Sequence, residues 1–287
     1  MAARVAPLRR LPPPRYPTWD LVREDPALLA REVPARWQRR SAVVAALTAA
    51  ALGTASAARQ GPSANRPAAV VFEHGEGKGS YGCVSVAPPA FLSEEEARQV
   101  VVSELSAAGV KLAAGDKQIP DVVRHRYYLL PKDARPWDVS KARVEESGPA
   151  APVRLDGYDT EKRVGVVMVL EAGYRERGGL DSAEVHFEGS SDEGWSSVGT
   201  FDFAEAARYL AGRINAKAGG GPSDAIGVFY DPSFGAYEEM KRLGKPGPDW
   251  QGQSAQAVKN AKSKSVRELR AQVKDFAAWL HDQGILR

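Results

Sequence analysis

The sequence predicts an α+β domain over residues 68–287, with helices packed on a mixed, mainly antiparallel sheet. Three observations predict it. The runs VGVVMVL (164–170) and AIGVFY (225–230) are almost wholly apolar, as strands covered on both faces must be. Other segments carry apolar residues at helical spacing and cap residues at their ends. The expected order, β-β-α-β-β-β-β-α-β-α, sets strand after strand, so hairpins rather than strict β-α-β units build the sheet.

AAVVFEH (68–74) and CVSVA (83–87) are expected to be two strands of a wide hairpin around the glycines between them, and Pro88-Pro89 ends the second. A helix follows from Ser93, where Ser93 with Glu96 forms a capping box and Gly109 is the stop; Ala97, Val100, Val101, Leu105 and Ala108 make its buried stripe. RHRYYLL (124–130) is a strand. Residues 131–152, rich in proline and charge, are expected to be a flexible excursion. VRLDGYDTEKRVGVVMVL (153–170) reads as a hairpin turning at Gly157 to Thr160, and EVHFE (184–188) as a further strand. A second helix opens at Asp202 with Glu205 at the capping position, its stripe being Phe203, Ala206, Ala207, Leu210 and Ile214. Strand 225–230 ends at Asp231-Pro232. A polar stretch, 244–265, is expected to be flexible; the terminal helix then starts at Ser265, capped with Glu268, and stops at Gly284.

Charge is unevenly placed. Residues 1–57 hold nine arginines against Asp20, Glu24, Asp25 and Glu32, a balance of +5 in a chain of formal charge +3, so residues 58–287 carry −2. Without a basic excess on residues 58–287 the main argument for nucleic acid, a basic face that displaces its counterions, is removed, and no nucleic-acid partner is expected. The single cysteine, Cys83, cannot close an internal disulfide.

The leader has three parts. Arg39 and Arg40 precede an apolar run from Ala42 to Leu52, and small residues follow at Ala55, Ser56 and Ala57. A basic region, a short apolar core and small residues at the cleavage point are the plan of an export signal. The run is shorter than the roughly 20 residues a stable membrane span requires. With its long n-region and alanine-rich core the leader resembles a twin-arginine translocation signal. The Phe-Leu-Lys usual after the arginines and serine is replaced by Ala42, Val43 and Val44, so the general secretion route is the alternative. Residues 1–57 are expected to be removed and 58–67 to be a linker. The resemblance implies a periplasmic or extracellular protein delivered folded by the translocation machinery.

GKGSYGCVSV (77–86) matches G-x-G-x-x-G-x-V, the glycine-rich loop of protein kinases. Its partners are missing. No lysine lies between Cys83 and Val110, His125-Arg126 is followed by Tyr127 instead of aspartate, and Asp202-Phe203 is followed by alanine. A dinucleotide fingerprint is excluded too, since its glycines must open a helix and these open a strand. Two readings stay open for Gly75, Gly77, Gly79 and Gly82: a hairpin whose turn uses positive φ, or, with Lys78, a loop that binds a ligand through its backbone amides.

Metal or general-base chemistry would fall to Glu73, His74, His186 and Asp231, the last at a strand end where α/β proteins place functional carboxylates. Asp156, Asp159 and Glu161 crowd one turn but lack the spacing of an EF-hand loop. Trp137, Trp195 and Trp250 are loop aromatics suited to a ligand or partner surface. No motif names a catalytic residue or a cofactor. The first expectation is therefore an exported module that binds an envelope protein or a small ligand; the alternative is a metal-dependent hydrolase of the cell envelope.

Overall fold

The computed structural model describes residues 68–81, 90–114, 116–135, 141–180, 184–189, 193–195, 199–218, 224–244 and 250–286, all within one compact unit, 61–287. Arg39, Arg40, Ala55, Ala57, Gly82, Cys83, Trp137 and the expected strand 83–87 lie outside the described residues. Among the described residues no helix is long and apolar enough to cross a membrane.

The strands are β1 (Ala69–Val70), β2 (Lys78–Tyr81), β3 (Gln118–Leu130), β4 (Arg143–Arg154), β5 (Gly157–Asp159), β6 (Val164–Val169), β7 (Glu184–Phe187), β8 (Glu193–Trp195), β9 (Gly199–Asp202) and β10 (Ala225–Tyr230). The helices are α1 (Glu94–Ala107), α2 (Phe203–Ala218), α3 (Ala236–Leu243) and α4 (Trp250–Asp282). This is an α+β fold with mixed sheets. Of the seven strand pairings among the described residues, four are antiparallel and three parallel.

The core forms around the sheet β1-β10-β6-β5, in which β1, β10 and β6 run parallel and β5 is the antiparallel edge. The period-two geometry of a strand divides its apolar side chains between two cores. Val167, Val169, Ile226, Val228 and Tyr230 pack with α2. Val164, Val166, Met168, Ala225 and Phe229 pack with α1 and α4 on the other face. Burial on both faces is why β6 and β10 read as unbroken apolar runs.

The helix boundaries follow from caps. Ser93 accepts from the Glu96 amide at 3.2 Å while Glu96 accepts from the Ser93 amide at 2.8 Å, the reciprocal box expected for α1. Asp202 accepts from the Glu205 amide at 2.9 Å and starts α2. At the far end Gly284, at φ +69°, closes the last turn of the chain.

Four local expectations are corrected. Residues 78–81, expected inside the turn between two strands, are themselves strand β2, which forms a separate antiparallel ribbon with β9, while β1 joins β10. The segment 131–152 is not wholly an excursion, because β4 takes up 143–154 beside β3. Its alternation is broken by register shifts that span Gly148 and Asp121, both at positive φ, and Pro149 is tolerated because β4 is an edge strand. The hairpin after Leu155 has Gly157–Asp159 as its first arm, so its turn falls at 160–163. Finally, 244–265 is largely helical. Ser265 is buried inside α4 and accepts from the Phe234 amide at 3.3 Å instead of capping a helix. The stripe Ala257, Ala261, Ser265, Leu269, Val273, Phe276 and Leu280 is continuous, but its first three members are too small to register as apolar.

Candidate functional site

The glycine-rich stretch carries the chain from the end of β1 into the β2–β9 ribbon. At Gly77 both backbone groups are occupied. The Gly77 amide donates to the Pro232 carbonyl at 2.9 Å, and the Gly77 carbonyl accepts from the Phe203 amide at 2.7 Å. Gly77 sits at φ +63°, where a Cβ would lie 2.7 Å from the Tyr230 ring and 2.9 Å from Ala204. Gly79 pairs with Phe201 across the ribbon, and a Cβ there would stand 2.2 Å from the Phe91 ring. At these two positions the missing side chain is what allows close packing. Gly75 and Gly77 use positive φ as the turn reading expects, while Gly82 and the expected second arm, 83–87, lie outside the described residues.

Lys78 lies between Gly77 and Gly79 and faces elsewhere. It is the register partner of Asp202 across the ribbon, with Nζ 3.4 Å from Asp202 Oδ2. The two form the charged edge of a cavity of about 370 Å³, whose other lining residues include Tyr128, Leu180, Thr200 and Phe201.

Two buried polar groups hold these walls in place. Arg126, two residues before Tyr128, is 7 % exposed and donates to both Glu205 carboxylate oxygens at 2.7 and 3.1 Å. It also donates to the Gly178 carbonyl at 2.7 Å and stacks over the Tyr209 ring at 4.0 Å, so one guanidinium ties β3 to α2 and to the segment before Leu180. The Tyr174 hydroxyl accepts from the Asp202 amide at 2.9 Å and donates to the Leu180 carbonyl at 3.3 Å. Burial pushes that phenol well above its ordinary range, so it stays a neutral donor. Beneath, Phe201 stacks on Phe203 at 5.6 Å and meets Tyr174 and Phe91 edge-on at 5.1 and 5.5 Å.

Glu73, His74, His186 and Asp231 are not assembled into a metal site. Glu73 pairs with Arg208 at 2.9 Å. His74 Nε2 lies 2.8 Å from Asp275 on α4, its Nδ1 4.0 Å from Glu268. His186 is on β7 in another sheet, its ring 4.5 Å from that of Tyr127. Asp231 is fully buried and accepts from the Leu92 amide at 2.7 Å and the Ser233 amide at 2.8 Å. Burial pushes its carboxyl up to about 6, against the pull of those two amides and of Lys262, with Glu96 adding to the rise. Among the described residues no group of three or more His, Cys, Asp and Glu side chains is placed to hold a metal ion.

The turn carboxylates are also separately engaged. Asp156 accepts from the Met168 amide at 2.6 Å and pairs with Arg177 at 2.8 Å, and burial raises its carboxyl despite that cation. Asp159 accepts from the amides of Lys111 and Lys162 at 2.7 and 2.9 Å. Both fasten turns.

Of the candidate ligand residues Gly75, Gly77, Lys78, Gly79 and Gly82, Lys78 and Gly79 line the cavity, and Gly82 lies outside the described residues. Asp202 was expected only as a helix cap, and Leu180, Thr200 and Phe201 carried no signal. The one clue in the sequence was a lysine in a strand start and an aspartate at a helix start, and strand register is what makes them neighbours. Against protein-family models, curated proteins and solved structures, the chain has no match.

Proposed function

We propose that this is an exported, non-enzymatic binding protein whose ligand site is the cavity between the β2–β9 ribbon, β3 and Leu180. The observation that carries the reading is the cavity itself: about 370 Å³, within the size range of small-ligand sites, with a mixed polar and apolar lining that includes Leu180, Tyr128 and one pair of charges. Its frame is stiffened by Arg126 and Tyr174, as preorganised recognition requires.

Addition of the low-molecular-mass fraction of an envelope extract is expected to slow amide hydrogen exchange at 78–79 and 199–202. No protection there, or protection confined to other elements, would count against the cavity as the ligand site.

Export rests on the leader. Expressed with its own N-terminus in a bacterium, the chain is expected to reach the envelope fraction with a new N-terminus at Ala58. Replacing Arg39 and Arg40 together by lysine is expected to trap the protein inside if the twin-arginine route is used. An uncut chain in the cytosolic fraction would remove the export reading.

A further inference from the structure

We propose that the ligand of this cavity is a small zwitterion, an α-amino acid with an apolar or aromatic side chain, held with its ammonium on Asp202 and its carboxylate on Lys78. The proposal rests on reading the cavity as the ligand site. The edge of the cavity carries one charge of each sign. An anionic ligand on Lys78 would meet the Asp202 carboxylate, and a cationic ligand on Asp202 would meet the Lys78 ammonium. A molecule that brings both charges re-pairs each of them.

The existing pair is easily opened. At 3.4 Å it is longer than a good charge-assisted hydrogen bond, and Lys78 is 65 % and Asp202 35 % exposed, so water already weakens it. The two partners differ in freedom. Asp202 is fixed: Oδ1 accepts from the Glu205 amide at 2.9 Å and its own amide donates to Tyr174, while Oδ2 is the oxygen that pairs with Lys78. Lys78 has a long flexible stem and can swing to a carboxylate a few ångströms away. Leu180, Tyr128 and Phe201 line the same cavity and give it apolar surface beside the two charges. The volume is large enough for a free amino acid.

The test is an amide-shift titration of the mature protein with L-phenylalanine, phenethylamine and 3-phenylpropanoate. L-Phenylalanine is expected to move signals of 78–79 and 200–202 at millimolar concentration, and each single-charge analogue to bind at least about tenfold more weakly. Asp202→Asn keeps a capping side chain and removes the charge, so it should abolish the preference of the protein for phenylalanine over 3-phenylpropanoate. Either analogue binding as tightly as phenylalanine would overturn the zwitterion. So would an absence of shifts with phenylalanine where the extract protects the same residues, and that result would leave the cavity standing as a site for another chemistry. Failure of phenylalanine and extract alike would remove both.

Discussion

Phe203→Ala is expected to destabilise the protein by about 4 kcal/mol, the largest effect of any single substitution proposed for this chain. Phe203 is fully buried at the first position of α2. Its ring lies 5.4 Å from Phe91 and 5.3 Å from Tyr174, edge-on to both, and 5.6 Å from Phe201 in a stacked arrangement. Truncation removes the transfer energy of the ring and three aromatic contacts at once, and leaves a void that rigid neighbours cannot close. In a unit of this size about 4 kcal/mol corresponds to a fall in Tm of roughly 10 °C. The backbone bond from Phe203 to Gly77 survives the change, so the glycine-rich segment should stay attached while the wall behind Phe201 loosens. Phe203→Leu, which keeps most of the volume, is expected to cost no more than about 1.5 kcal/mol. Chemical denaturation of the three proteins checks both values. A loss under about 1 kcal/mol for the alanine variant would mean that the four rings are not packed as a unit.

The parts of this fold that were legible in the sequence are those decided locally. Ser93 and Glu96 cap α1 through neighbours three residues apart, and Asp202 caps α2 in the same way. The continuous apolar runs of β6 and β10 mark strands with two covered faces. What was not legible depends on distant partners. Nothing near Ala69 says that it will pair with Ile226, or that Lys78 will face Asp202 over a separation of more than a hundred residues. The first half of α4 was hidden for a different reason. Ala257 and Ala261 are as buried as Leu269, yet an alanine stripe carries little apolar signal and depends on the close approach of Ala236, Met240 and Ala90 to be stable.

The glycine-rich stretch shows how a motif can be right about geometry and silent about chemistry. Its glycines do mark a place where backbone runs against other groups at short range, which is the property that phosphate-binding loops also need. Here the groups are Pro232, Tyr230 and Phe91, all from the protein itself. The chemistry-bearing residue of the stretch is Lys78, whose side chain is turned to the far side of the ribbon from Phe91. The pairing of Lys78 with Asp202 therefore follows from strand register, because a one-residue slip of β2 would put a glycine opposite Asp202 instead.

Asp231 gives the second large prediction, and it concerns pH. A carboxyl whose folded-state value is about 6, against 3.8 when unfolded, binds its proton more tightly in the native protein. Stability contributed by this group therefore increases as pH falls through 6 and levels off below about 4, the reverse of the usual salt-bridged aspartate. Asp231→Asn cannot titrate, so the difference in unfolding free energy between the natural protein and this variant isolates the group from every other carboxylate. That difference is expected to shift in favour of the natural protein by about 2 kcal/mol between pH 7.5 and pH 4.5. A constant offset is superimposed, since an asparagine can accept from the Leu92 or the Ser233 amide but sets its own NH2 against the other, at a cost of about 1–3 kcal/mol. Urea unfolding of both proteins across that range measures the two contributions separately. A difference that did not change with pH would mean that water reaches the carboxylate, and the end of β10 would then regain the claim to chemistry that its position in a parallel sheet first suggested. The expected slope instead makes Asp231 a buried fastener, joining the turn after β10 to the segment that leads into α1.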